Sequence, residues 1–246
     1  EEIASTIASF ELSIESCLPR NDIENLRTLY DSVKGQNILP DTFSEFIAYG
    51  SYGVTLGDVA FNPYVVSLVN RLYYGFIENQ NLCLPAILDL REKSNFMLFD
   101  ESESMRVRNA VNSVIFSSLK SQPASHQKFI LFDPEGRSQG FAPYLEFMRS
   151  NPAIMYNKVF TTQQQIREQV EGLSAFIDEF RQTKLADCTD IFAYNRVSVE
   201  RPESLKCLCL LNFPKGFDEQ MLEQLANIVK NGSSCGVQTV IHFDEN

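Results

Sequence analysis

The chain has 246 residues, 44% of them apolar, and a formal charge of −11 from 21 basic and 32 acidic side chains. That composition fills a core and excludes a disordered chain, while the negative field disfavours a domain that grips nucleic acid by itself. The longest apolar run, Leu205–Phe213, is interrupted by Lys206 and Asn212 and falls short of the roughly 18 residues of a membrane helix, so no membrane segment is expected.

In chain order, the first fifty residues read as helical. Asn21-Asp22-Ile23-Glu24 is a capping-box pattern, followed by Ile23, Leu26, Tyr30 and Val33 at helical spacing. Pro40 to Glu45 predicts another short helix ending near Gly50, with a short strand at Val59 to Phe61 and a helix over residues 64–75. No basic-then-apolar leader is visible. The start at Glu1 suggests a piece of a longer polypeptide, and free cysteines point to the reducing cytoplasm.

From Leu82 the character changes to alternating strands and helices. Leu84 to Leu90 and Asn95 to Phe99 read as strands, and Val107, Ala110, Val111, Val114, Ile115 and Leu119 as one face of a helix. Lys128 to Phe132 is a compact buried strand ended by Asp133-Pro134-Glu135-Gly136, the residue order of a type I turn. A long helix follows from about Thr162 to Thr183, then a strand at Cys207 to Leu211. Met221, Leu222, Leu225, Ile228 and Val229 mark a helix stopped by Asn231-Gly232, and Gly236 to Ile241 is the last strand. Strands alternating with helices predict an α/β fold, a largely parallel sheet flanked by helices. The expected division is a mostly helical extension over residues 1–80 and an α/β domain over 81–246.

The six cysteines offer one close pair, Cys207 and Cys209, and only two histidines accompany them. With no CxxC pattern, free buried thiols are expected rather than a metal site. Ser-based nucleophilic catalysis has no GxSxG elbow to support it. Asp133 reads as a turn residue, Asp178 and Glu179 as a solvated helix face, His126 as a surface residue, and Phe141, Tyr144, Phe147 and Met148 as core.

The order of these motifs resembles the P-loop motor domain of the FtsK/SpoIIIE translocases, which also occurs in type VII secretion motors. The resemblance covers roughly residues 82–242. It rests on Leu84-Pro85-Ala86-Ile87-Leu88-Asp89-Leu90 before the Met97–Val111 stretch, and on Asp133-Pro134-Glu135-Gly136 after its strand. Phe176 to Arg181 leading to Asp190 through Asn195, the Cys207 to Leu211 strand, and Asn231 through Ile241 continue it. It implies a RecA-type P-loop fold, with ATP and Mg²⁺ as the family's cofactors and DNA or protein as its cargo.

At the phosphate loop the chain departs from the pattern. The positions of that motif fall on Asp100, Glu101, Ser102, Glu103, Ser104, Met105, Arg106 and Val107. Glycines become Asp100 and Met105, the lysine becomes Arg106, and the Mg²⁺-ligating hydroxyl becomes Val107. Each carboxylate opposes a phosphate by about 2 kcal/mol at roughly 8 Å and an effective dielectric near 20. The motor strand, which should end in an Asp and a Glu, ends in Asn212 and Phe213. What remains is a turn whose acids can cap the helix beginning near Ser104.

The expectation is therefore a degenerate ATPase-type domain with no catalytic residue, metal or cofactor of its own, serving docking, assembly or regulation beside other ATPase modules. DNA would be handled by the whole assembly rather than by this acidic domain. One alternative is an active translocase domain, with ATP and Mg²⁺, completed by a neighbouring subunit. Another is a partner-binding module that shares only the layout.

Overall fold

The computed structural model describes residues 43–55, 77–78, 81–91, 94–100, 105–135, 139–156, 158–198 and 201–244. The helices expected from Asn21 and over residues 64–75, and the strand at Val59 to Phe61, lie outside them. The chain divides into two compact units, Glu1–Gly35 with Ala48–Ile87, and Gln36–Ile47 with Leu88–Asn246.

A three-stranded sheet takes β1 (Phe46–Thr55), β3 (Asn81–Asp89) and β2 (Ile77–Glu78), in the order β1-β3-β2. β2 and β3 are antiparallel, with Ile77 opposite Leu82. β1 corrects the expected helix from Pro40 to Gly50. Its sequence, FIAYGSYGVT, is rich in aromatic and β-branched residues and carries Gly50 and Gly53. Glycine weakens a helix, and such side chains suit a pleated surface. The proline-led start signal did not outweigh them.

The larger unit is built on a four-stranded parallel sheet. Its strands are β4 (Asn95–Asp100), β5 (Gln127–Phe132), β6 (Leu205–Phe213) and β7 (Val237–Asp244), in the order β4-β7-β6-β5. β6 is buried over nearly its whole length, from Cys207 at 5% exposure to Leu211 at 7%, as a strand covered on both faces must be. The crossovers are helical: α1 (Met105–Ser121), α2 (Leu145–Ser150), α3 (Gln163–Thr183), α4 (Ile191–Val197) and α5 (Glu219–Asn231). The α/β expectation is met by this sheet, whereas the strand expected at Leu84 to Leu90 is part of β3 and pairs in the three-stranded sheet instead.

Local chemistry fixes the helix ends. Thr162, Asp190 and Asp218 cap α3, α4 and α5 by accepting from the backbone N–H of Gln165, Ala193 and Met221. α3 buries Ile166, Val170, Leu173, Ile177 and Phe180, the stripe its spacing predicts. The stop after α5 falls at Asn231-Gly232, as expected. Gly232 stays right-handed at φ −72, a short 3₁₀ turn (Ser233–Cys235) follows, and the left-handed residue is Gly236 at φ 73. A Cβ on Gly232 would stand 2.4 Å from the Ile228 carbonyl oxygen, so this glycine serves close approach.

The two faces of the sheet carry different helices. Ser118 of α1 reaches Gln238, which stands beside Cys207 in the register, whereas the neighbouring Lys206 lies over the Phe176 ring of α3. Alternation along β6 therefore places α1 and α3 on opposite faces. β5 is shielded along its outer side by the segment around Met155 and Phe160, through Phe129 N–H to Ile154 O at 2.8 Å and Phe160 N–H to Leu131 O at 2.8 Å. β4 is the other edge strand of this sheet and leaves Met97 and Phe99 exposed. Among the described residues no helix is long and apolar enough to cross a membrane.

Candidate functional site

Four parallel strands end on one edge, and a crevice outside the carboxyl ends of such strands is where open α/β sheets place ligands. β4 ends in Asp100, β5 runs into Asp133, β6 ends in Asn212 and Phe213, and β7 ends in Asp244. Asp100 and Asp244 face each other in the register. β7 lies between β4 and β6, so Asp100 at the end of β4 and Asn212 at the end of β6 lie on the same edge. Of the residues singled out in the sequence, the sheet thus brings Asp100 and Asn212 to one edge.

At the end of β6 the ladder breaks. Leu210 pairs with Ile241 but Phe213 pairs with Phe243, so β6 spends one more residue than β7 over this interval. Asn212 stands in that bulge with φ 57. Asn is among the residue types that accept a left-handed backbone. Its side chain is 6% exposed and donates from Nδ2 to Asp133 Oδ1 at 3.3 Å. Asp133, 3% exposed, also accepts from the Glu135 backbone N–H at 3.2 Å, the turn role its sequence position predicts.

His242 ties this bulge to β4. Its ring is fully buried. The Asn212 backbone N–H points at Nδ1 over 3.3 Å, and Nε2 lies 3.0 Å from the Asp100 carbonyl oxygen. A backbone N–H can only donate, so Nδ1 accepts and Nε2 carries the proton that reaches Asp100. One neutral imidazole thereby links the ends of β4, β6 and β7.

Lys215 closes the same edge from the turn after β6. Its Nζ donates to Glu135 Oε1 at 2.8 Å and to Asp244 Oδ2 at 2.9 Å. Hydrogen bonding to Asp244 first, then to Glu135, holds the ammonium above the ordinary lysine range. The turn also carries an aromatic cluster. Phe213 meets Phe217 at 5.2 Å and Phe243 at 4.9 Å, both edge-on, and Phe243 stacks on Phe99 at 4.7 Å.

Of the residues expected at the phosphate loop, Glu101, Ser102, Glu103 and Ser104 lie outside the described residues. Asp100 is half-buried, Met105 opens α1, Arg106 is exposed, and Val107 packs in the core at 3% exposure. Among the described residues no cluster of three His, Cys, Asp or Glu side chains is arranged to hold a metal.

Other expected placements follow the structure closely. Asp178 and Glu179 are exposed, and Phe141, Tyr144 and Met148 are buried, with Phe147 intermediate. His126 is half-buried, its ring 5.8 Å from that of Phe43, rather than fully on the surface. The Cys207 and Cys209 sulfurs share one face 3.6 Å apart. Their contact, together with burial, pushes the Cys209 thiol up, as inert core thiols require. Sequence reasoning did not find His242 or Lys215. The last strand runs to Asp244, three residues past the apolar run that marked it, and no spacing rule pairs Lys215 with Glu135 and Asp244.

No family description matches the sequence, and no curated protein matches it. In fold the chain is similar to the pCW3 conjugation coupling protein TcpA, solved with ATPγS, with a TM-score of 0.50 at 12% identity over 91% of this chain and 77% of that one. It is also similar to EssC (ATPases 2 and 3) from Geobacillus thermodenitrificans, with a TM-score of 0.51 at 15% identity over 66% of this chain. The type VII secretion ATPase EccC from Thermomonospora curvata gives 0.48 at 16% identity over 65% of this chain. This chain spans only 30% of the EssC chain and 20% of the EccC chain. It shares the α/β fold of TcpA and of EssC (ATPases 2 and 3), in line with the fold that the FtsK/SpoIIIE resemblance implies.

Proposed function

We propose that this chain is an ATPase-type domain of a multi-domain translocase that does not itself hydrolyse ATP, and that it serves docking, assembly or regulation of a cytoplasmic motor beside other ATPase modules. The observation that carries this reading is the closed carboxyl edge of the sheet. A phosphate site there needs a free cation, and Lys215 is held between two carboxylates. It needs a Mg²⁺-ordering carboxylate at the end of β6, and Asn212 is a neutral amide bound to Asp133. It needs a hydroxyl at the start of α1, and Val107 is packed in the core.

The acidity of the chain favours contact with protein over contact with DNA, since 32 carboxylates against 21 basic groups repel a phosphate backbone. DNA or protein cargo would be moved by the assembly as a whole. Steady-state phosphate release from ATP and Mg²⁺ tests the catalytic half of the proposal. The expected rate is that of buffer alone, for the isolated chain and for the chain mixed with itself at high concentration. Turnover that rises with protein concentration would instead support a site completed between subunits.

A further inference from the structure

At the amino end of the four-stranded sheet, opposite the edge that carries the proposed function, a cavity lies between the strands and the end of α1. Its floor on the α1 face takes Gln127 from β5, Leu205 and Cys207 from β6, and Gln238 from β7. Gln127 is the register partner of Leu205, and Gln238 that of Cys207. The two glutamines are 3% and 6% exposed, and each uses only half of its amide. Gln127 Nε2 donates to the Gln122 carbonyl oxygen at 2.9 Å, and Gln238 Oε1 accepts from Ser118 Oγ at 3.3 Å. Among the described residues nothing pairs with Gln127 Oε1 or with Gln238 Nε2. The polar neighbours are already engaged. Gln122 exchanges hydrogen bonds with the Ser44 backbone at 3.0 and 2.6 Å, and Ser94 Oγ bonds Ser233 Oγ and the Val237 carbonyl oxygen. A buried acceptor and a buried donor left unmade both cost stability, and both line one cavity.

We propose that this cavity is a binding site for a small neutral molecule that carries a carboxamide on an apolar body. The ligand carbonyl accepts from Gln238 Nε2 and its NH₂ group donates to Gln127 Oε1, which completes both glutamine amides. β6 lies between the two strands that bear them, so their backbones stand about 10 Å apart across the sheet. A group with its donor and its acceptor on separate atoms suits that spacing. The body packs against Leu90, Phe129, Leu205 and Cys207. The Lys206 side chain lies on the α3 face over Phe176, and alternation sends that of its register partner Lys128 the same way. The lining side chains are therefore uncharged, and an ion would lose its hydration there without a counter-charge. The free space is about 330 Å³ with the mouth included, at the lower limit of small-molecule sites. Walls so nearly buried admit a small molecule and not a segment of another chain.

The test is a titration of the full chain with benzamide, followed by amide NMR and by melting curves. The side-chain NH₂ signals of Gln127 and Gln238 should shift saturably with a Kd of about a millimolar, the scale for a ligand of this size. Tm should rise by about 4 °C at roughly 20 mM benzamide. Toluene has the body without the amide, and benzoate has a charge and no donor; each should bind at least about tenfold more weakly. Gln127→Met and Gln238→Met each remove one unpaired atom and should weaken benzamide by about tenfold or more. The titration of the parent chain decides the outcome even where a variant fails to fold. Equal affinity for benzamide and toluene, or saturable shifts that leave both glutamine side chains unmoved, would overturn the proposal. So would the absence of any saturable change up to about 50 mM, the result for a cavity that holds ordered water only.

Discussion

Asn212 donates its side-chain amide to Asp133 Oδ1 at 3.3 Å, joining the bulge at the end of β6 to the turn after β5. The contact depends on the residue being an amide, because a carboxylate at that position has no hydrogen to give. The residue that the translocase pattern expects there is the one this site disfavours.

Asn212→Asp should therefore destabilise the chain rather than repair it. Two carboxylates would meet at a nearly buried contact, with an expected loss of about 1–3 kcal/mol in urea unfolding. Their repulsion raises proton affinity in the folded state above that in the unfolded state. The loss should be full at neutral pH and shrink as pH falls and one carboxyl takes up a proton. A variant as stable as the parent at pH 7.5 would show that the Asn212–Asp133 contact contributes nothing.

Lys215→Met removes the cation between Glu135 and Asp244. The ammonium is about half exposed, with 47% side-chain accessibility, so the loss should not exceed about 1 kcal/mol and should fall with added salt. Lys215 holds its proton more tightly folded than unfolded. Its contribution is complete below the unfolded lysine value of about 10.4 and is lost as pH rises beyond it. Melting curves should show a constant gap between parent and variant from pH 6 to 9, narrowing above about pH 10.

Replacing Asp100, Glu101 and Glu103 together by glycine tests the idea that the turn's acids serve the N-terminus of α1. The expected result is a lower Tm, by an amount equivalent to about 1–2 kcal/mol, because negative charge and capping oxygens near unpaired N–H groups are lost. The triple variant should gain no affinity for ATP. A rise in Tm would mean that the acids repel one another more than they stabilise the helix.

The parallel sheet was readable because its strands are short apolar runs set between periodic helices, and α3 and α5 carry their core stripes openly in Ile166, Val170, Leu173, Met221, Leu225 and Ile228. β1 was not readable, since its pairing with β3 is a tertiary fact and its local start signal favoured a helix. At the site, Asn212 could be found by its place after an apolar strand. His242 could not, because a single histidine gains meaning only when β7 is laid between β4 and β6. Lys215 likewise reaches Asp244 over 29 residues of sequence, through a turn whose shape no pattern specifies.

We propose that the carboxyl edge of this sheet keeps the geometry of a nucleotide site without its chemistry. Isothermal titration of the full chain with ATP in the presence of Mg²⁺ tests it most directly. No binding heat and no ligand-induced rise in Tm are expected at millimolar nucleotide. A saturable isotherm with a micromolar Kd would contradict it.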